Sequence, residues 1–355
     1  MRAKRLITFI LLAVIAIPAA PFVYGNERDR EVKVAAYNMY PGTEFSGIFL
    51  AQTPDELVAE VAEAYNDVNA SNVPERIDEI ADQIATNQPY LVGLQEVAIW
   101  SVGAPFDPAD ANFVVYDFLQ ILLDRLAARG AHYEAISIQE NLTAELPAVF
   151  SQTSALDVRF TDRVVILART DMSTSEIKIE GVDAGTFASL LTLPSPTLGN
   201  VVVPRGWTSA DIKHRGKTYR FVNAHLESFV EYFQILQAQE VVDGPANTDL
   251  PVIVAGDYNS DPGVNPTAYN ILLGSGLSDA WTSTNPGSPG FTWALSGELP
   301  SVILQPDQRV DLVLFRGGMT ASSSDLIGEE VGDITPSGFR PSDHAGVVAS
   351  FVLHP

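Results

Sequence analysis

The segment from Val252 to Pro262 joins an apolar strand to a cluster of polar residues, and this limits how the chain can fold. Its β-branched start predicts a buried strand, and Gly256 lets the backbone turn where that strand leaves the sheet. Side chains two residues apart on an extended chain point the same way, so Asp257 and Asn259 should face one pocket. An aspartate can orient or deprotonate water, and an asparagine can donate to a phosphate oxygen. The alternative is an ordinary Asp/Asn/Ser/Pro turn.

Strands and helices alternate along the chain, and apolar strands recur throughout it. Strands are predicted at 32–37, 90–94, 133–138, 164–168, 207–213, 218–224, 252–254, 310–315 and 346–353. Helices are predicted at 54–65, from about 74, at 115–129 and at 231–242, and residues 171–205 should form strands joined by long loops. This mixture predicts an α/β sandwich, with two sheets face to face and helices outside. With 46% hydrophobic residues and no linker or repeat, one domain is expected over residues 30–355.

The first 25 residues have the pattern of a secretory signal sequence. Three basic residues begin it, residues 6–17 are apolar, and residues 23–25 offer a cleavage site. We expect cleavage because prolines end the apolar stretch early, and an uncleaved membrane anchor is the alternative. The chain has no cysteine, so as an exported protein it uses no disulfide.

The acidic composition bears on the partners that the protein can bind. The formal charge is −23, and removal of the three basic residues of the signal sequence leaves −26. This charge repels polyanions at long range, so stable non-specific binding of nucleic acid is not expected. It is still compatible with a nuclease, because a bound divalent cation inverts the local field.

Several predicted strands end in, or contain, polar side chains that folding alone does not require. Those outside the Val252 segment are Asn38, Glu96, His225, Asp311, Asp343 and His344. Each also has a purely structural interpretation, as a turn or helix cap, a solvated strand end, a core histidine or, for Asp311, a partner of Arg309.

In chain order, these motifs resemble those of the endonuclease/exonuclease/phosphatase superfamily. The motifs are Tyr37-Asn38, Leu94-Gln95-Glu96, Asn223-Ala224-His225-Leu226, Gly256-Asp257-Tyr258-Asn259-Ser260, Arg309-Val310-Asp311 and Ser342-Asp343-His344. The resemblance is to a bacterial secreted member with a DNase I-like fold. It implies a four-layer α/β sandwich, in which two packed mixed β-sheets are flanked by helices.

The resemblance also implies a site that holds Mg²⁺ or Mn²⁺. Glu96 would be the chief metal ligand, with Asn38 and Asp343 near or on the ion. Hard oxygen ligands of this kind suit Mg²⁺.

The same resemblance implies catalytic roles in the attack of water on phosphorus. Asp257 would orient or deprotonate the water, and Asn259 would hold a phosphate oxygen. His344, oriented by Asp311, would act at the scissile phosphate. His225 would donate to the developing charge or to the leaving oxygen. Whether Asp257 or His344 is the base stays open.

The sequence departs from the family pattern at Asp162-Arg163, where many relatives carry a Glu-Gly pair. The role of Asp162 and Arg163 is therefore open. Signatures of the inositol-phosphatase branch are absent around Asp257 and Asp311, which argues against that substrate.

The expected function is hydrolysis of phosphodiester bonds by a monomeric, secreted or extracytoplasmic enzyme. Two substrates compete, since a nuclease would use basic residues along one edge, and a phospholipid phosphodiesterase would need exposed apolar loops at a membrane surface. The basic candidates are Arg205, Lys213, Arg215, Lys217 and Arg220, and the aromatic candidates are Phe106, Phe113, Phe150 and Phe229. A small-molecule phosphatase and a catalytically silent binding module of the same fold are the alternatives.

Overall fold

The computed structural model describes residues 31–173, 176–293 and 306–354. The predicted signal sequence, residues 1–25, lies outside these ranges. Within them, no helix is both long and apolar enough to cross a membrane.

The described residues form strands and helices in alternation. The strands are β1 Glu31–Asn38, β2 Leu91–Gln95, β3 Ile99–Gly103, β4 Phe113–Asp117, β5 Tyr133–Ser151, β6 Ser154–Arg169, β7 Ile177–Thr186, β8 Leu191–Ser195, β9 Gly199–Val203, β10 Gly206–His214, β11 Lys217–His225, β12 Val252–Asp257, β13 Ser278–Asp279, β14 Asp311–Arg316, β15 Met319–Ile327 and β16 Gly346–Leu353. The helices are α1 Ser46–Leu50, α2 Pro54–Ala70, α3 Val73–Asn87, α4 Phe118–Ala128, α5 Glu231–Asp243, α6 Thr267–Gly274 and α7 Ala280–Thr284.

Two large mixed sheets form the centre of the fold. The first has the strand order β15-β16-β1-β2-β6-β3-β4, with β5 paired along β6, and the second has the order β13-β14-β12-β11-β10-β7. Each sheet contains one parallel pair, β1 with β2 and β11 with β12, between antiparallel neighbours. The sheets pack face to face, with β1 against β12 and β2 against β11.

Alternation of side chains along the central strands produces the layers. In β1, Val34 and Ala36 lie in the core between the sheets, whereas Ala35 and Tyr37 lie in the core shared with α2, α3 and α4. Strand β12 alternates in the same way between the inter-sheet core and the core under α5 and α6. Strands buried on both faces read as unbroken apolar runs, as the sequence shows here. The predicted four-layer sandwich is confirmed.

The structure adds elements that were not predicted, such as α1, β3, α6, α7 and β15, and it changes two predicted regions. Helix α4 begins at Phe118 rather than at residue 115, because Asp117 ends strand β4 and caps the helix by accepting from the amides of Leu119 and Gln120. Strands β5 and β6 form one long hairpin, where only short strands at 133–138 and 164–168 were expected. Their two-residue turn contains neither Gly nor Pro, so the sequence gives little sign of it.

One buried asparagine connects the two sheets. From β11, the Nδ2 of Asn223 donates to the carbonyl oxygens of Leu94 and Val165 in the first sheet, both at 3.1 Å, and its Oδ1 accepts from the Nε2 of Gln95 at 2.6 Å. A Cβ on Gly93 would come within 2.6 Å of this Oδ1, so the glycine makes room for the asparagine. Asn223 therefore anchors one sheet to the other at a fixed position.

Replacement of Asn223 by Ala should destabilise the protein, because it leaves the Gln95 amide without its buried partner. We expect a loss of about 1–3 kcal/mol in the free energy of unfolding, measured by urea denaturation. Thr208→Val, which removes only the 3.3 Å contact to Asn223, is the matched control and should cost less. Equal midpoints for Asn223→Ala and the wild type would contradict the role of Asn223.

Candidate active site

The polar residues singled out from the sequence meet at one edge of the two sheets. The parallel strands β1, β11 and β12 end there with Asn38, His225 and Asp257, and Glu96 follows β2. The carboxyl ends of parallel strands gather at one edge, which is where open α/β sheets place their ligands. Asp311 was expected inside a strand, but it begins β14, which is antiparallel to β12, and it lies directly opposite Asp257.

Asp257 is buried and is held from both sheets. Its Oδ2 accepts from the Nδ2 of Asn38 at 3.0 Å, and its Oδ1 accepts from the backbone amide of Asn259 at 3.0 Å. The preceding Gly256 has φ +141°, and a Cβ there would lie 2.1 Å from the carbonyl oxygen of Ala224. Gly256 is thus required for the close approach of β11 and β12 at Asp257.

Asn259 lies beyond the end of β12 with a positive φ of 50°. The expectation that an extended chain turns its side chain to the same side as Asp257 is therefore wrong, because the backbone is left-handed here. Its Nδ2 donates to the carbonyl oxygen of Leu226 at 3.0 Å, which ties it to the end of β11. Its side chain is half-buried at the site, and its contact with phosphate stays a prediction.

His344 forms a buried pair with Asp311. The Nδ1 of His344 lies 2.8 Å from the Oδ2 of Asp311, and its Nε2 lies 3.8 Å from the Oδ2 of Asp257. Arg309, the other candidate partner of Asp311, instead pairs with Asp279 at 2.7 Å. Burial by itself lowers the pKa of His344, but the carboxylates of Asp311, Asp343 and Asp257 outweigh it and raise the pKa well above its usual value. These surroundings therefore favour the imidazolium form of His344.

The surroundings of His225 favour its neutral form. Its Nε2 lies 3.4 Å from the Oδ2 of Asp257, and the guanidinium of Arg205 lies 3.1 Å from its Nδ1. Burial, together with the positive charges of Arg205 and His344, lowers the pKa of His225 well below its usual value. Two histidines whose pKa values are shifted in opposite directions thus lie within 4 Å of the same carboxylate oxygen. Pairs of groups with divergent pKa values are typical of acid and base roles.

Glu96 and Asp343 line a cavity of about 130 Å³ beside these histidines. Burial and then the charge of Asp343 raise the pKa of Glu96 well above its ordinary value. Among the described residues, nothing donates a hydrogen bond to the Glu96 carboxylate. The Oε1 of Glu96 lies 4.0 Å from the Nε2 of His225. Two carboxylates close together suit a hard cation with oxygen ligands.

Asn38 makes two hydrogen bonds within this arrangement. Besides the bond to Asp257, its Oδ1 accepts from the backbone amide of Tyr40 at 3.0 Å. One lone pair of that oxygen remains for a cation, and ligation by Asn38 stays a prediction.

Asp257, Asp311 and His344 form a second cluster whose ligand atoms all lie within 4.8 Å of one another. A histidine must be neutral to ligate a metal, however. The surroundings of His344 favour its protonated form, and its Nδ1 is already paired with Asp311. This cluster therefore fits proton transfer and charge stabilisation better than ligation.

The sequence left the roles of Asp162 and Arg163 open, and the structure places the two side chains differently. Asp162 lines the cavity, where its Oδ2 accepts from the Nδ2 of Asn141 at 2.9 Å and its Oδ1 has no hydrogen-bond partner among the residues that the structure describes. Arg163 instead bonds the carboxylate of Asp117 at 2.6 Å. Asp162, but not Arg163, belongs to the candidate site.

The basic residues proposed for nucleic acid do not gather at the site. Of the five, only Arg205 lines the cavity. Lys213, Arg215 and Lys217 lie around the β10–β11 turn, at the opposite end of β11 from His225. Arg220 pairs with Asp211 at 2.6 Å. Most of the basic residues that a nuclease would use therefore lie away from the end of the β10–β11 hairpin that carries His225.

Arg76 supports the site but was not predicted. It is fully buried and donates to the carbonyl oxygens of Met39, Tyr40, Ser71 and Pro341 at 2.9–3.3 Å. These bonds join the end of β1 to the loop before the last site motif. Arg76 falls on the apolar stripe of α3, so a charged residue at a buried helical position was the available signal.

The unusual pKa of Asp257 makes stability depend on pH in the metal-free protein. Burial raises this pKa from 3.8 to about 6, so the folded state binds the proton more tightly than the unfolded state. The resulting stabilisation is present at low pH and is lost as the pH rises from about 4 to about 6. Asp257→Asn removes this titration, so the free energy of unfolding of the variant should fall less than that of the wild type as the pH rises from about 4 to about 6.

Urea denaturation with chelator across this pH range measures the effect. Asp249→Asn, the same change at an exposed position, should keep the wild-type pH dependence. Equal slopes for Asp257→Asn and the wild type between pH 4 and 6 would show that Asp257 titrates normally.

Solved structures with the same architecture are found at low sequence identity. An endonuclease/exonuclease/phosphatase family protein from Leptotrichia buccalis is 17% identical, with a TM-score of 0.56 over 90% of this chain and 98% of that one. A mannosyl-6-phosphatase from Bacteroides thetaiotaomicron is 17% identical, with a TM-score of 0.54 over 91% and 100%. D. rerio TDP2, in complex with a single-strand DNA product, is 18% identical, with a TM-score of 0.54 over 90% and 98%. These similarities show the fold and confirm its DNase I-like type.

No curated protein matches the sequence. The model of the Endonuclease/Exonuclease/phosphatase family matches residues 64–344, which is most of the chain. This range contains Glu96, His225, Asp257, Asp311 and His344, and Asn38 precedes it. The chain belongs to the Endonuclease/Exonuclease/phosphatase family.

Proposed function

We propose that the protein is a divalent-metal-dependent phosphoesterase that hydrolyses phosphodiester bonds. The observation that carries the proposal is the position of Asp257 between His344, whose surroundings favour the protonated form, and His225, whose surroundings favour the neutral form. Such a site offers a proton acceptor and donors to developing negative charge within one small volume. Membership of the family supports the same class of reaction.

Glu96 and Asp343 would hold Mg²⁺ or Mn²⁺, with Asn38 close by. The fit rests on the Glu96 carboxylate, whose pKa is raised by burial and by Asp343. A cation there relieves both the desolvation and the repulsion. When bound, the ion would polarise a phosphoryl oxygen and neutralise part of its charge.

Asp257 is the group best suited to accept the proton of the attacking water. It is ionised above about pH 6, and the bonds from Asn38 and Asn259 orient it. The water oxygen forms its bond to phosphorus as the bond to the leaving oxygen breaks, and the water proton passes to Asp257.

Both histidines lie within 4 Å of Asp257 and thus on the side of the attacking water. There, His344 would donate to a non-bridging phosphate oxygen, and His225 would donate to the same developing charge. In an in-line reaction, the leaving oxygen is on the opposite side of phosphorus. It would take its proton from water in the open cavity.

The proposed substrate of this enzyme is a phosphodiester, in either a nucleic acid or a phospholipid head group. The position of most basic residues away from the site weighs against a grip on duplex nucleic acid. A silent binding module would have no need of the buried charges of Glu96, Asp257 and His344. The signal-like pattern of residues 1–25 supports export of the enzyme.

Asp257→Asn and His344→Ala should each lower the hydrolysis of bis(4-nitrophenyl) phosphate. The expected loss in kcat is about 10²–10⁴-fold, because one variant removes the proton acceptor and the other a charged donor. Release of nitrophenolate with Mg²⁺ present measures the rate, and Asp249→Asn is the matched surface control. Retention of wild-type kcat by either site variant would rule out this mechanism.

Glu96→Gln should weaken metal binding without abolishing the fold. We expect the Mg²⁺ concentration for half-maximal activity to rise about tenfold or more, since an anionic ligand is lost. Calorimetric titration of Mg²⁺ gives a second readout that needs no turnover. Glu63→Gln, on the exposed face of α2, is the control, and an unchanged titration for Glu96→Gln would exclude Glu96 as a ligand.

A further inference from the structure

A second cavity adjoins the candidate active site, and its wall is apolar. It has a volume of about 70 Å³, and all thirteen of its lining residues are apolar. Some of them, such as Val61 and Phe160, belong to the core beneath the helices, whereas Leu142, Leu198 and Val201 are only half-buried, and the cavity is partly open to the surface. A half-exposed apolar hollow beside a polar site suggests a place for an apolar group of a ligand.

The two cavities share part of their wall. Both are lined by Phe45, Phe49, Leu142 and Phe160. The first cavity is also lined by Glu96, beside which the phosphate is proposed to bind. A group attached to that phosphate would therefore lie next to the second cavity.

The chemistry of the wall restricts what can occupy the second cavity. The indole Nε1 of Trp100 already donates to the carbonyl oxygen of Pro41 at 3.0 Å, so it is not free for a ligand. A nucleobase placed here would leave its polar edge unpaired, which is costly. An alkyl chain has no polar group that would be left unpaired, and the volume of about 70 Å³ sets how many of its methylenes can enter.

Exposed apolar side chains lie near the two cavities. Leu50, next to Phe49 at the end of α1, is 68% exposed, and Phe229, which lines the first cavity, is 53% exposed. The ring of Phe229 contacts that of Phe49, with 6.4 Å between their centroids. Such a rim would meet the apolar surface of a lipid aggregate as a chain enters the cavity.

We propose that the second cavity binds the alkyl chain of an amphiphilic phosphoester while its phosphate lies at Glu96 and Asp257. This inference rests on the proposed phosphoesterase function and adds the substrate class to it. The acidic surface favours a substrate with a zwitterionic or neutral head group over a polyanion.

Binding can be measured without turnover. Methyl, butyl and octyl phosphocholine, each below its aggregation concentration, would be titrated by calorimetry into the Asp257→Asn variant with Mg²⁺. We expect about fourfold tighter binding per methylene that enters the cavity. Equal affinity for the methyl and octyl compounds would overturn the proposal.

Variants that fill the second cavity test whether it is the site that binds the alkyl chain. Ala144→Leu, on β5, places a larger side chain in the wall, so the chain-length dependence should disappear while methyl phosphocholine binds as before. Ala64→Leu, on α2, fills the same cavity from another element if the first variant does not fold. Ala184→Leu, at a partly buried strand position that lines neither cavity, is the control and should keep the dependence. Cavity-filling variants that retain the dependence would refute the site.

Hydrolysis separates this inference from the function on which it rests. Octyl 4-nitrophenyl phosphate should have a higher kcat/KM than both its methyl analogue and the nitrophenyl ester of thymidine monophosphate. Hydrolysis of all three with no chain preference, or with a preference for the nucleotide, would defeat the inference and leave the phosphoesterase function intact. Chain-dependent binding with no hydrolysis of any ester would establish the cavity and defeat the proposed function.

Discussion

The hydrogen bonds of one buried asparagine hold the two sheets in a single relative position. Asn223 bonds two strands of the opposite sheet, and a shift by one residue would leave its polar groups unpaired in an apolar interface. Apolar packing alone tolerates several arrangements, whereas a buried polar contact favours one. The same arrangement brings Asn38 of β1 within 3.0 Å of Asp257 of β12, so the geometry of the site follows from the packing of the sheets.

The site is stabilised by backbone groups as much as by opposite charges. Arg76 has no carboxylate partner within the described part of the chain, and burial lowers its pKa to about 10. Its donors instead satisfy carbonyl groups where β1 ends and where the last loop approaches. Loops normally lie at the surface, since buried ones leave backbone groups unpaired. The buried guanidinium allows two loops to approach the inner edge of the sandwich.

Much of the fold and of the candidate site was accessible from the sequence because both depend on strand ends. Asn38, His225 and Asp257 end predicted strands, and parallel strands place such ends together. Features that depend on local backbone or on distant contacts were not accessible. The rule that side chains two residues apart point the same way holds for extended chains, and Asn259 has a left-handed conformation instead. The position of Arg205 at the cavity follows from loop geometry.

The charge balance of the site explains why a phosphate would need a cation to bind there. The carboxylates at or beside the cavity belong to Glu44, Glu96, Asp162, Asp257, Asp311 and Asp343, and the cations belong to Arg205 and His344. With every group ionised, six negative and two positive charges leave a formal charge of −4, which repels a phosphodiester. A divalent cation would reduce this to −2 and place its charge next to the phosphate, where the interaction is strongest. The raised pKa values of Glu96 and Asp162, due first to burial, express the same deficit of positive charge. An acidic protein can therefore act on anionic esters, provided that the positive charge is concentrated at the reacting phosphorus.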